Sequence, residues 1–223
     1  MLRMDIAQNI QEVRERIARA AARAGRSPGD VTIVAVTKTV AEPAIREAIA
    51  AGISNLGESR VQEAQRKIAQ LSECEPVPVW HMIGHLQRNK VQTALEIFDI
   101  IHSIDSVRLA REVSAEAKII VPVLLEVNLS GEETKGGFPP DELAEALAEI
   151  SSLPNLSIRG LMTIAPWVDD AEEVRPVFRT LRELRDSFGL EQLSMGMSED
   201  FEIAVEEGAT MVRLGRIIFG ERT

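Results

Sequence analysis

The chain has 223 residues, 45% of them apolar and 27% charged, the balance of a globular protein long enough for one sizeable core. Thirty-five acidic against 25 basic residues give a net charge of −10, which opposes binding to nucleic acid or an anionic membrane face, and no basic cluster offsets it. A lone cysteine, Cys74, excludes an intrachain disulfide, and the lack of an apolar leader or of a run of roughly 20 apolar residues points to a cytoplasmic protein without a membrane span.

An opening helix is expected over 4–24, stopped by Gly25 and the turn Ser27-Pro28-Gly29-Asp30. Short runs rich in Val and Ile then alternate with segments of helical spacing. Strands are expected at 31–37, 53–56, 77–83, 98–103, 120–128, 157–163, 192–195 and 210–213. Helices are expected between them at 42–51, 58–71, 86–96, 106–117, 140–152, 171–188 and 199–207. The longest loop, Leu129 to Pro140, carries Gly131, Gly136 and Gly137, and Lys135 within it is expected to be solvated. No linker or low-complexity tract interrupts the alternation. It predicts one α/β domain over 1–223, a (β/α)8 TIM barrel with an extra N-terminal helix, with an open doubly wound sheet as the alternative.

In a barrel the chemistry lies at the C-terminal ends of the strands. The first strand ends at Lys38, and lysine amines form imines with carbonyl compounds, although a rim lysine reaching for water fits the same position. The segment Ser194-Met195-Gly196-Met197-Ser198-Glu199-Asp200 runs from a strand through a glycine into a helix, where free amides and a hydroxyl can hold a phosphate. Ser198 as a plain N-cap would give the same pattern. Arg213 and Gly215 follow the eighth strand, beside that segment in a barrel. A lysine, a phosphate cradle and an adjacent arginine are the minimum set for pyridoxal 5′-phosphate, with Arg213 facing the pyridine nitrogen.

Other residues carry weaker signals. His81 and His85 are spaced like a metal pair, but a strand end does not put them on one face, and a polar role is favoured over zinc. His102 reads as a satisfied rim histidine. Glu126 and Asn128 share strand parity, so both are expected to point inward.

Six motifs in order, Ala35-Val36-Thr37-Lys38, Asn55-Leu56-Gly57-Glu58-Ser59, Trp80-His81-Met82-Ile83-Gly84-His85-Leu86-Gln87, Gly160-Leu161-Met162-Thr163-Ile164-Ala165, Leu193-Ser194-Met195-Gly196-Met197-Ser198 and Val212-Arg213-Leu214-Gly215, closely resemble the YggS/PROSC family of pyridoxal phosphate homeostasis proteins. The resemblance runs from about residue 5 to the C-terminus. It implies a barrel like the N-terminal domain of bacterial alanine racemase, with pyridoxal 5′-phosphate held as a Schiff base on Lys38. It further implies that Ser198 and the Gly215 and Arg216 amides hold the phosphate, that Arg213 faces the pyridine nitrogen, and that Asn55, Ser194, Met162 and His81 line the pocket. The implied role is vitamin B6 homeostasis without robust turnover, with pyridoxal-phosphate-requiring apoenzymes as partners. Alanine racemase also uses a tyrosine from a second, β-rich domain of the partner subunit, and this chain contains no tyrosine. Two-base racemisation of that type is therefore excluded, and a monomer is favoured. A one-base racemase using Lys38 or His81, and a class I aldolase, are the competing readings.

Overall fold

Among the residues described by the computed structural model, 5–131 and 136–220, eight parallel strands close into a barrel in chain order. They are β1 (Thr32–Val36), β2 (Asn55–Glu58), β3 (Val79–Met82), β4 (Ile100–Ile104), β5 (Val121–Glu126), β6 (Leu156–Met162), β7 (Gln192–Ser194) and β8 (Met211–Leu214). Closure runs through β8 and β1, where Val34 stands opposite Arg213 and Ala35 opposite Leu214. This is the (β/α)8 barrel that the alternation predicts.

Side chains alternate across the barrel wall. Ala35, Leu56, Ile101, Val123, Leu193 and Val212 point outward and are buried under the helical shell. The opposite parity places Val34, Leu124, Met162 and Met211 in an apolar cluster inside the barrel, joined by Ile83 and Val36. The same inward parity belongs to His81, His102, Ser194 and Arg213, so part of the interior is polar. Where β6 passes β7 the wall is tight, and a Cβ on Gly160 would stand 1.9 Å from the Gln192 carbonyl oxygen. Only glycine fits there.

The shell consists of α2 (Glu42–Ala50), α3 (Val61–Gln70), α4 (Val91–Ile97), α5 (Val107–Glu116), α6 (Leu143–Ser151), α7 (Arg175–Ser187) and α8 (Phe201–Glu206). The extra helix α1 (Ile6–Arg23) is capped by Asp5, whose carboxylate accepts from the Gln8 amide at 3.0 Å. It buries Ile6, Ile10, Val13 and Ile17 and is tied to the α8 end of the barrel by Arg16 to Glu202 at 2.7 Å and Arg23 to Glu206 at 2.5 Å.

The differences from the expected elements lie at their ends. The strand expected to run to residue 128 stops at Glu126, beyond which Val127 makes an isolated bridge to Phe138 and donates its amide to the Met162 carbonyl at 2.8 Å. Glu58, expected to open a helix, closes β2 instead. The segments expected to be helical from 86 and from 171 enter through single 3-10 turns at Arg88–Lys90 and Ala171–Val174. A short helix after β8, α9 (Arg216–Phe219), was not expected. Met4, at the start of the expected first helix, and Lys135 lie outside the described residues. Among the described residues no helix is long and apolar enough to cross a membrane.

Candidate functional site

Lys38 leaves the end of β1 half-buried, in a depression lined by Ser59, Met82, Gly84, His85 and Gln87. Two residues earlier, Val36 lines a second depression together with Trp167, Ser198, Arg213, Gly215 and Arg216. The expected amine and the expected cradle thus line two separate depressions, one reached by Lys38 and the other by Val36 of β1.

The cradle is built by two turns. Gly196 takes φ +93°, and a Cβ on it would come within 2.5 Å of the Ala204 side chain, so the β7 to α8 connection requires glycine. Asp200, which precedes α8, accepts from the Met197 amide at 2.5 Å. The reading of Ser198 as the N-cap of that helix is therefore wrong. Its hydroxyl instead accepts from the Ile217 amide of α9 at 3.4 Å. Gly215, at the cap position of α9, brings no side chain to that helix start, so a hydroxyl and first-turn amides face the same space. The Arg216 guanidinium turns aside to Glu199, 2.7 Å away.

Across the barrel interior the polar side chains form one continuous chain of hydrogen bonds. Arg213 donates from Nη1 to Ser194 Oγ at 2.7 Å and from Nη2 to the Thr163 carbonyl at 2.8 Å. Ser194 Oγ lies 2.9 Å from His102 Nδ1, His102 Nε2 lies 2.9 Å from His81 Nδ1, and His81 Nε2 lies 3.0 Å from Asn55 Oδ1. Arginine can only donate and an amide oxygen can only accept, so the ends set the direction. Ser194 donates to His102, His102 to His81, and His81 to Asn55. The Asn55 amide nitrogen is engaged by Ser54 Oγ at 3.1 Å, which leaves its oxygen for His81.

Burial sets the charges. Desolvation pushes His81 down to about 4 and His102 well below the usual imidazole range, so both rings are neutral at physiological pH. Desolvation also lowers Arg213, to about 10, where it stays cationic, with Glu126 and Asp200 as opposing charges. Burial raises the Glu126 carboxyl. Met162 packs in the interior apolar cluster.

One expectation is corrected, since His102 is no rim histidine but lies wholly buried in the barrel interior, whereas the separation of His81 from His85 is what their strand-end context implies. His85 turns away from His81 to Asp105, 2.8 Å distant, with its side chain 70% exposed, so the two histidines do not share a site. Asn128 lies beyond the end of β5, and its Oδ1 accepts from the Ser130 amide and hydroxyl at 3.2 and 3.0 Å. His102 is fully buried at the centre of the chain, a role that no spacing in the sequence announces. The sequence likewise gave no sign of Glu58 and Lys67, which form a buried ion pair at 2.7 Å beside the Lys38 turn.

The family model for the N-terminal domain of alanine racemase matches residues 8–223. The pyridoxal phosphate homeostasis protein of Aquifex aeolicus (strain VF5) is 45% identical, over 98% of this chain and 99% of its own length. The chain belongs to the pyridoxal phosphate homeostasis family. Another member, from Escherichia coli (strain K12), is 42% identical over 98% of this chain and 97% of its own length. PipY of Synechococcus elongatus PCC7942, solved with pyridoxal phosphate bound, is 39% identical with a TM-score of 0.84, covering 96% of this chain and 100% of that one. The alanine racemase of Clostridium difficile 630 shares the fold, with a TM-score of 0.73 at 16% identity, and the match covers 97% of this chain but 56% of the racemase. Members of the pyridoxal phosphate homeostasis family thus align with this barrel from end to end, whereas the racemase extends well beyond it.

Proposed function

We propose that this protein binds pyridoxal 5′-phosphate as a Schiff base on Lys38 and serves vitamin B6 homeostasis in the cytoplasm, holding and releasing the cofactor without robust turnover. Arg213 is the observation that carries the reading. It is a buried, donor-only cation fixed by Ser194 and Thr163, and a donor of that kind suits an unprotonated pyridine nitrogen. Such a nitrogen makes the ring a poor electron sink, which favours storage over catalysis.

The donor set fits the rest of the cofactor. The bound group supplies an aldehyde, whose carbon bonds to the Lys38 nitrogen as water is lost. Ser198 and the Gly215 and Arg216 amides would hold the phosphate. Asn55, His81, Ser194 and Met162 would line the ring side of the pocket. The neutral His81 has both ring nitrogens engaged, which makes it a poor proton shuttle for a one-base racemase.

Adding pyridoxal phosphate is expected to produce an absorbance band near the visible edge in wild-type protein and none in Lys38→Ala. Absence of the band in wild type would sink the proposal. Delivery to pyridoxal-phosphate-requiring apoenzymes by a monomer belongs to the same reading. Light scattering of the loaded protein tests the monomer, and recovery of activity by an added apoenzyme tests the transfer. Solvent deuterium appearing at the α-carbon of amino acids would instead favour the racemase.

A further inference from the structure

Lys38 is the middle residue of a three-residue turn whose two outer members are fastened to one buried charge cluster. Lys67 of α3 donates from Nζ to the Thr37 carbonyl at 2.5 Å, to Glu58 Oε1 at 2.7 Å and to Glu63 Oε1 at 2.7 Å. The Thr37 hydroxyl donates to the same Glu58 oxygen at 2.6 Å. On the other side of Lys38, the Thr39 amide donates to the same Glu63 oxygen at 2.6 Å. Glu58 is fully buried, and the Lys67 side chain is 8% exposed.

The turn held in this way is strained. Thr39 has φ +63°, alone among the described non-glycine residues in lying in the left-handed region, which a β-branched side chain strongly disfavours. Such a conformation persists where the surroundings over-determine it, and it gathers where a side chain must be aimed. A cluster serving only to stabilise the barrel would need neither this strain nor anchors on both flanks of Lys38.

We propose that Lys67, Glu58 and Glu63 act as a positioning cluster that fixes the 37–39 turn and so aims the Lys38 amine at the incoming aldehyde. The same contacts keep the Lys67 ammonium fully hydrogen-bonded, with no free electron pair to compete for that aldehyde. The inference rests on Lys38 being the imine-forming residue.

Three variants test it: Glu63→Ala, Glu63→Gln and Thr39→Gly. Two readouts are needed, the rate of imine formation with pyridoxal 5′-phosphate and the affinity for pyridoxine 5′-phosphate, which has the phosphate and ring but no aldehyde. Glu63→Ala, which frees the Thr39 amide, is expected to slow imine formation about 10- to 100-fold, the scale on which a misaimed reacting group loses rate. Glu63→Gln keeps an acceptor for that amide and is expected to recover most of the rate. Thr39→Gly keeps the amide that Glu63 holds and takes the same φ without strain, so it is expected to match or exceed wild-type thermal stability and to keep the wild-type imine rate. All three should bind pyridoxine 5′-phosphate as wild type does. An unchanged imine rate in Glu63→Ala, or a loss of rate that merely tracks a loss of pyridoxine 5′-phosphate binding, would overturn the inference. Wild-type protein that forms no imine would overturn the reading of Lys38 itself.

Discussion

His81 and His102 meet edge to face inside the barrel, with ring planes at 80° and Nδ1 of the first 2.9 Å from Nε2 of the second. Two buried imidazoles sharing one hydrogen bond require a donor and an acceptor, so their tautomers are linked. With Arg213 fixing one end and Asn55 the other, both rings carry the proton on Nε2. Nitrogen NMR of the apoprotein is expected to find both as neutral Nε2–H tautomers at neutral pH. An imidazolium signal from either ring would contradict that direction.

The same burial makes stability depend on pH. Unfolded, His81 takes up a proton near 6.5; folded, it does so only at about 4. The unfolded state therefore binds more protons in that window, and the contribution from His81 is complete above 6.5 and lost as pH falls toward 4. The loss amounts to about 3 kcal/mol at roughly 1.4 kcal/mol per pKa unit. Urea unfolding across this range should show the slope, and His81→Asn should reduce it, the remainder coming from His102. Equal slopes in the two proteins would contradict the buried neutral histidine.

Ser194→Ala removes the link between Arg213 Nη1 and His102 Nδ1. Each group left buried without a partner loses about 1–3 kcal/mol. Thermal denaturation should report a destabilisation of that order, accompanied by a shift in the absorbance band of the loaded protein as Arg213 loosens.

Ser198→Ala separates the phosphate cradle from the rest of the site. A hydrogen bond to a charged group contributes about 1.5–3 kcal/mol, so affinity for pyridoxal 5′-phosphate should fall roughly 10- to 100-fold. Affinity for pyridoxal, which lacks the phosphate, should not change. An equal loss for both would place the phosphate elsewhere.

Gly160→Ala probes the barrel itself. Its methyl group would overlap the Gln192 carbonyl across the β6–β7 ladder, so the strands must part. A loss of roughly 3 kcal/mol or more is expected by thermal denaturation, at the severe end for single substitutions.

The barrel was legible in the sequence because parallel strands covered on both faces read as apolar runs, and eight such runs alternate with helical spacing. The strand ends were not, since whether Val127 or Glu58 belongs to a ladder depends on neighbours far away in the chain. The resemblance pointed to Lys38, Ser198 and Arg213; Ser198 and Arg213 line one depression, and Lys38 lines another. Ser198 was ambiguous because its hydrogen-bond donor, the Ile217 amide, lies on a helix that the sequence did not suggest. The resemblance named His81, Asn55, Ser194 and Arg213, but not their connection through His102, and the Lys67 cluster had no signal at all. His102 and Ser194 are 92 residues apart, and only closure of the barrel brings them within hydrogen-bonding distance.

In the proposed function the amine of Lys38 takes the aldehyde of pyridoxal 5′-phosphate. Borohydride reduction of the loaded protein followed by peptide mass spectrometry addresses it directly. A single pyridoxyl adduct on Lys38, absent from Lys38→Ala, is the predicted result. An adduct on another lysine, or none on Lys38 at saturating cofactor, would contradict it.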